Sequence, residues 1–282
     1  MDGIIVINKE KQYTSHDVVA KLKGKLNIKK VGHTGTLDPN ATGVLPILLG
    51  NATKISKYLI EHDKEYEVEL KLGQKTDTAD AEGNIIEEQE FNLEQIEDIE
   101  IKRIIETFKG KQIQTPPIYS AIKVKGKKLY EYARKGQEVE IPKREIEIYN
   151  IEINKIDKEE NIICFTVGCS KGTYIRTLCE DIAKKLGTIG YMKELNRTKV
   201  GRFSIKNAVL VDDMNLEKHV ISIEEFFSNK EKIELKEYQF EQFLNGVLIS
   251  LNKTNEVYRI YCNNKFIGLG IVENGRLKRD VC

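Results

Sequence analysis

The chain has 282 residues, 40% apolar and 32% charged, with a net charge of +1, a composition that suits a folded chain of one large domain plus a small one. No window approaches 18 consecutive apolar residues, and the start MDGIIVINKEK carries charge too early for a secretory leader, so neither membrane span nor signal peptide is expected and a cytoplasmic location is. The near-zero total charge is neutral on nucleic acid; any basic surface has to come from local clustering.

In chain order, GIIVIN (3–8) reads as a buried strand and TSHDVVAKLKGKL (14–26) as a helix opened by a Thr or Ser cap. VGHTGTLDPNATGVLPILLG (31–50) reads as a Gly-rich loop whose only acid is Asp38, with Asn40, Thr42 and Gly43 able to open a short helix. NATKISKYLIEH (51–62) has helical spacing, KEYEVELKLG (64–73) alternates like a strand, and 74–86 is polar and turn-rich. An amphipathic helix is expected over 92–110, capped by Asn92 and stopped by Gly110. TPPIYSAIKVKG (115–126) reads as an alternating strand and KKLYEYARKG (127–136) as a helix. Residues 145–156 and 161–170 predict a strand pair, and TYIRTLCEDIAKKLG (173–187) a helix ending at Gly187. Residues 232–249 read as strand, helix, strand, and 257–277 as hairpin material with Asn-Asn and Asn-Gly turns. Without regular βαβ alternation, these elements predict an α+β fold with a mixed, largely antiparallel sheet over 1–229 and a small β-rich module over 230–282.

Five cysteines (Cys164, Cys169, Cys179, Cys262, Cys282) form no CxxC pair, and the four histidines are scattered, so reduced thiols and no metal site are expected. Lysines and arginines cluster at 20–30, at 123–135 around Tyr130 and Tyr132, and at 193–206, while the acids concentrate in 80–106 and 213–241. Phosphate-binding cations beside stacking aromatics suit an RNA surface. The plain alternative is solvated helix faces.

Asp38 poses the chemical question. Glycoside hydrolysis pairs two carboxylates, aspartic proteases need a dyad, and metal-assisted hydrolysis needs further ligands. None stands near Asp38 in sequence, which leaves a nucleophile or base acting on a substrate with its own reactive centre, or else a simple Asp-Pro turn. Pro39 biases Asp38 toward extended backbone, and Gly32 and Gly35 allow close approach.

The string GHTGTLDPNATGVLP (32–46) resembles, nearly letter for letter, the catalytic motif of the TruB family, the bacterial tRNA pseudouridine-55 synthases. Four further blocks follow in the family's order: DKEYEVELKLGQKTDTADAEG (63–83), TPPIYSAIKVKGKKLYEYARKG (115–136), CSKGTYIRTLCEDIAKKLG (169–187) and YMKELNRTKVGRF (191–203). The resemblance implies a pseudouridine synthase fold with a C-terminal PUA-like module, and a reaction that cuts the N1–C1′ bond of one uridine, turns the uracil and forms a C5–C1′ bond. It implies no cofactor, metal, guide RNA or obligatory protein partner. The RNA partner it implies is tRNA, held at the T arm and leaned on at the acceptor stem by the module, with the target base flipped out of the stack.

By the same resemblance Asp38 is the essential nucleophile or base, whether it attacks C1′, adds to C6 or removes the C2′ proton. Tyr66 stacks on the target uracil and assists proton removal at C5, and Arg176 pairs with the catalytic carboxylate. Tyr174 and Leu195 line the uracil pocket, and His33 packs beside the flipped nucleotide. Lys9, retained in the first block, is placed with the substrate-binding residues. That block departs from the family: NKEKQYTS (8–15) carries Glu10 and Gln12 where Pro and Gly are expected. Two other readings stand beside the leading one: a guide-RNA-dependent synthase, and a tRNA-folding chaperone without catalysis.

Overall fold

The computed structural model of the protein describes residues 2–59 and 62–281. Along the chain run β1 (Gly3–Lys9), α1 (Ser15–Leu26), β2 (Val31–His33), β3 (Thr42–Leu49), β4 (Lys64–Leu72), β5 (Gln74–Thr76), β6 (Ile85–Glu88), α2 (Asp98–Glu106) and β7 (Gly110–Gln114). Then come β8 (Lys123–Val124), β9 (Lys127–Lys128), α3 (Leu129–Ala133), β10 (Arg144–Asp157), β11 (Ile162–Cys169), α4 (Ile175–Lys185), β12 (Gly190–Val200) and β13 (Phe203–Ser204). The rest comprises α5 (Leu216–His219), β14 (Val220–Ile221), α6 (Ile223–Phe226), β15 (Lys232–Leu235), α7 (Glu237–Leu244), β16 (Ile249–Ser250), β17 (Val257–Cys262), β18 (Lys265–Glu273) and β19 (Arg276–Val281).

The fold is α+β, as the pattern predicts. A ten-stranded sheet runs β14-β1-β3-β12-β4-β11-β10-β7, with β2 on β3 and β13 on β12; every named pairing in it is antiparallel except β3 with β12. Alternation in β4 turns Tyr66, Val68, Leu70 and Leu72 into the core, where they meet Phe165, Val167 and the buried face of α4. A second sheet, β15-β17-β18-β19-β16, closes over Phe243, Tyr258, Ile260 and Val272. Its turns Asn263-Asn264 and Asn274-Gly275 have positive φ throughout, as two-residue hairpins require. Leu269 and Val281 of this sheet pack with Ile4 and Val44 of the larger one and with Phe226 of α6. No helix among the described residues is long and apolar enough to cross a membrane.

Several local expectations are corrected. Residues 31–50 are not a loop: they hold β2 and β3, and no helix opens at Asn40–Gly43, because Thr42 and Gly43 already pair with Asn196 and Arg197 of β12. Pro46 is tolerated inside β3 because β2 pairs only with residues 47–49, and Thr34 N–H donates to the Pro46 carbonyl at 3.2 Å. The 51–62 helix is a tight 3₁₀ stretch, Gly50–Tyr58; residues 60 and 61 lie outside the described residues. The 92–110 helix is shorter: Asn92 caps a three-residue 3₁₀ turn, α2 starts at Asp98, and Gly110 begins β7. The strand expected over 115–126 shrinks to β8, the helix over 127–136 to α3, and the 74–86 turn region carries the β5–β6 hairpin.

Gly43 has a structural reason to be glycine. Its φ is +105°, and a Cβ there would collide with the Arg197 carbonyl oxygen on β12. Gly43→Ala is expected to lower stability by about 3 kcal/mol, read by denaturant melts, because both the strained φ and the one parallel strand pair of the main sheet would have to give.

Candidate active site

The loop from Gly35 to Ala41 enters β3, and the fold pins it from three sides. Leu37 N–H donates to Ser15 Oγ at 2.8 Å at the start of α1. Pro39 carbonyl accepts from Gln12 N–H and from Lys9 Nζ, both at 2.9 Å. Arg197, 1% exposed, reaches back from β12 to the carbonyls of Val44 (2.8 Å) and Gly35 (3.2 Å). Asp38 therefore stands on a turn closed by Ala41 N–H to its own carbonyl at 3.1 Å, with its side chain 38% exposed into a cavity.

That cavity is about 440 Å³, in the range that takes one small ligand. Asp38, Tyr66, Tyr174, Arg176 and Leu195 all face it, so five of the seven site residues expected from the sequence come together. Lys9 and His33 do not. Lys9 is 1% exposed, its ammonium donates to the carbonyls of Glu10, Tyr13 and Pro39, and burial pulls its pKa down to about 8. It braces the turn that carries Asp38. His33 lies at the end of β2, outside the cavity wall; burial lowers its pKa, and its Nδ1 accepts from Gly35 N–H at 3.4 Å. Gln12, where the family pattern expects glycine, takes φ +69° and so keeps the left-handed backbone that aims its N–H at Pro39.

Arg176 is the hub. It lies in the first turn of α4, is 7% exposed, and sets Nε 3.4 Å from Asp38 Oδ2. Its Nη1 reaches Asp80 Oδ2 at 3.3 Å and the Thr78 carbonyl at 3.2 Å, and its Nη2 donates to the Tyr119 carbonyl at 2.9 Å. Sequence reasoning does not single out Asp80, although it lies in the polar stretch TDTADAEG of the 63–83 block. It is held by Thr78 Oγ1 (2.6 Å) and Glu82 N–H (3.1 Å), and Ala79 before it sits at φ +61°, an uncommon value for a residue with a Cβ. Enclosure raises the Asp38 pKa and the neighbouring Asp80 charge adds to this, while Arg176 and Lys9 pull it back.

On β4, Tyr66 pairs across the ladder with Arg197, so the two side chains share a face. Burial pushes the Tyr66 phenol up to about 12, and Arg197 favours its ionised form. Tyr174 is clamped through its main chain, N–H to Gln114 Oε1 at 2.8 Å and carbonyl from Gln114 Nε2 at 3.0 Å. The described residues contain no group of three or more His, Cys, Asp or Glu set to hold a metal ion.

Of the three basic clusters, 193–206 is not the open RNA surface expected: Arg197 is buried, Lys193 and Lys199 meet Glu69 and Glu65, and Arg202 donates to the Phe226 carbonyl. The 123–135 cluster forms no ion pair among the described residues, and Lys128 and Arg134 both lie over the Tyr130 ring, 5.3 and 5.4 Å from its centroid. Tyr130 in turn reaches the cavity wall.

A family model described as TruB family pseudouridylate synthase (N terminal domain) matches residues 23–175, and one described as tRNA pseudouridylate synthase B C-terminal domain matches residues 176–244. The chain is 48% identical over 279 residues to tRNA pseudouridine synthase B of Clostridium tetani, covering 96% of this chain and 95% of that relative. It is 43% identical over 281 residues to the protein of the same name from Caldanaerobacter subterraneus, covering 99% and 98%. Among solved structures, a chain of a Cbf5-Nop10-Gar1 complex superposes with a TM-score of 0.68 at 25% identity, over 99% of this chain and 83% of that one.

Proposed function

The chain belongs to the TruB family of pseudouridylate synthases and is an isomerase acting on tRNA; we propose that the nucleotide it converts is uridine 55 of the T arm, reached without a guide RNA. The observation that carries this reading is the Asp38–Arg176 pair opening on a cavity faced by Tyr66. The base has to leave the stack to enter, at a cost of a few kcal/mol. The N1–C1′ bond then breaks, the uracil turns, C5 bonds to C1′, the C5 proton leaves and N1 gains one. The net change is an isomerisation.

Asp38 is the reacting carboxylate. Attack at C1′, addition to C6 and removal of the C2′ proton all require it ionised, and Arg176 supplies the charge that favours and aims that form. Tyr66 is the stacking ring, and its hydroxyl serves proton removal at C5 with Arg197 steadying the phenolate. Leu195 and Tyr174 form apolar wall around the base. Lys9 and His33 act through the loop: Lys9 by holding Pro39, His33 by its contact with Gly35. The 115–136 segment, with its unpaired cations and Tyr130, grips the T arm. We assign residues 1–229 to catalysis and 230–282 to a PUA-like module that leans on the acceptor stem.

Tyr66→Phe keeps the ring and loses the hydroxyl. It is expected to slow tritium release from C5 about a hundredfold or more in single-turnover assays; release at the wild-type rate would remove the phenol from that step. The function itself is tested with tRNA transcript carrying tritium at uridine C5, with a chelator present and no other RNA. Stoichiometric release that disappears when uridine 55 is replaced by cytidine supports the proposal. Release only after a guide RNA is added would assign a guide-dependent synthase, and binding without release under any condition a tRNA-folding protein.

A further inference from the structure

Four buried side-chain polar atoms among the described residues have no hydrogen-bond partner: Thr34 Oγ1, Ser120 Oγ, Arg144 Nε and Thr188 Oγ1. Ser120 alone of these belongs to the cavity wall that holds Asp38, Tyr66 and Arg176. It is 5% exposed, and a hydroxyl so enclosed is costly to leave unpaired.

The backbone around it is fixed. Ser120 N–H donates to the Ile118 carbonyl at 2.9 Å, its carbonyl accepts from Tyr130 N–H at 3.1 Å, and the preceding Tyr119 carbonyl takes Arg176 Nη2 at 2.9 Å. Leu129 N–H to the Ile122 carbonyl at 2.8 Å and the Gln114 clamp on Tyr174 hold the flanks. Only the hydroxyl rotor is free.

We infer that Ser120 is a positioning residue whose hydroxyl bonds the polar edge of the uracil and keeps the base in register while it is detached from the ribose. The inference rests on the proposed isomerisation. A uracil edge offers O2, N3–H and O4. Turning the ring about the line through N3 and C6 brings C5 to where N1 was and exchanges O2 with O4, while N3 stays in place. The edge therefore presents the same acceptor–donor–acceptor pattern before and after the turn, and a hydroxyl set against it keeps its partner throughout.

The test is Ser120→Ala, with Ser120→Cys as a second variant that keeps a weak donor of similar shape. The expected result is a fall of about tenfold in kcat/KM for tRNA with alanine and a smaller fall with cysteine. The thermal midpoint should be unchanged or higher, because alanine removes an unpaired buried hydroxyl without opening a large void. Values of kcat/KM for Ser120→Ala within twofold of wild type would overturn the assignment, and so would a loss of activity accompanied by a lowered midpoint, which marks a structural role. A wild-type chain that releases no tritium from C5 under any condition would instead overturn the isomerisation on which the assignment rests.

Discussion

Replacing Asp38 with alanine or asparagine is expected to lower the rate of pseudouridine formation by about four orders of magnitude or more, while tRNA affinity changes less than about threefold. The size follows from the absence of a substitute. Asp38 is the one carboxylate on the cavity wall as described. Asp80, the nearest by charge, has one oxygen on Thr78 Oγ1 and Glu82 N–H and the other on Arg176, so it has no free oxygen to turn toward substrate. Arg176 keeps Asp80 and the carbonyls of Thr78 and Tyr119 when Asp38 is lost, so the fold survives. Single-turnover tritium release and filter binding on the same preparation read the two quantities. Residual turnover within a hundredfold of wild type would transfer the chemistry to another group.

Removing Arg176 strikes both catalysis and stability. Arg176→Met is expected to slow isomerisation about a thousandfold and to lower stability by about 3 kcal/mol, because Asp80, nearly enclosed, is left with an uncompensated charge. Arg176→Lys should recover part of the stability but less of the rate, since an ammonium cannot span Asp38, Asp80 and two carbonyls with a planar fork. The pH profile gives the sign. Enclosure already raises the Asp38 pKa and Arg176 opposes that. Losing Arg176 pushes the pKa higher still, so the acid limb of the rate profile should move to higher pH. An acid limb that stays put or moves down would show that the guanidinium does not set the charge state of Asp38.

Asp38, Tyr66, Tyr174, Arg176 and Leu195 were legible because each lies in a dense local motif; the period of β4 and α4 is also clear around Tyr66 and Arg176, whereas β12, which bears Leu195, has no such clear period. β3 was hidden because Gly43 and Pro46 are ordinary loop markers; only the close approach of Arg197 and the early end of β2 explain both inside a strand. Asp80 was hidden because its role exists only across the fold, where α4 brings Arg176 to it. Lys9 and Arg197 have structural surroundings that residue type alone does not give. Both are sealed on backbone carbonyls and act as rivets for the Asp38 loop. The 115–136 block carries the right residues, but its β-like alternation is spent on an irregular segment whose Tyr119 carbonyl takes Arg176 and on one short pairing of β8 with β9.

The strand order has a consequence for biosynthesis. β12 is inserted between β3 and β4, and it is the last long strand of the main sheet to be made. Until residue 200 has left the ribosome, which adds about 5–20 residues per second, nothing can join the β3 side of the sheet to the β4 side. The sheet that carries Tyr66 and anchors the Asp38 loop is therefore completed only late in translation, and until then its two halves present open strand edges.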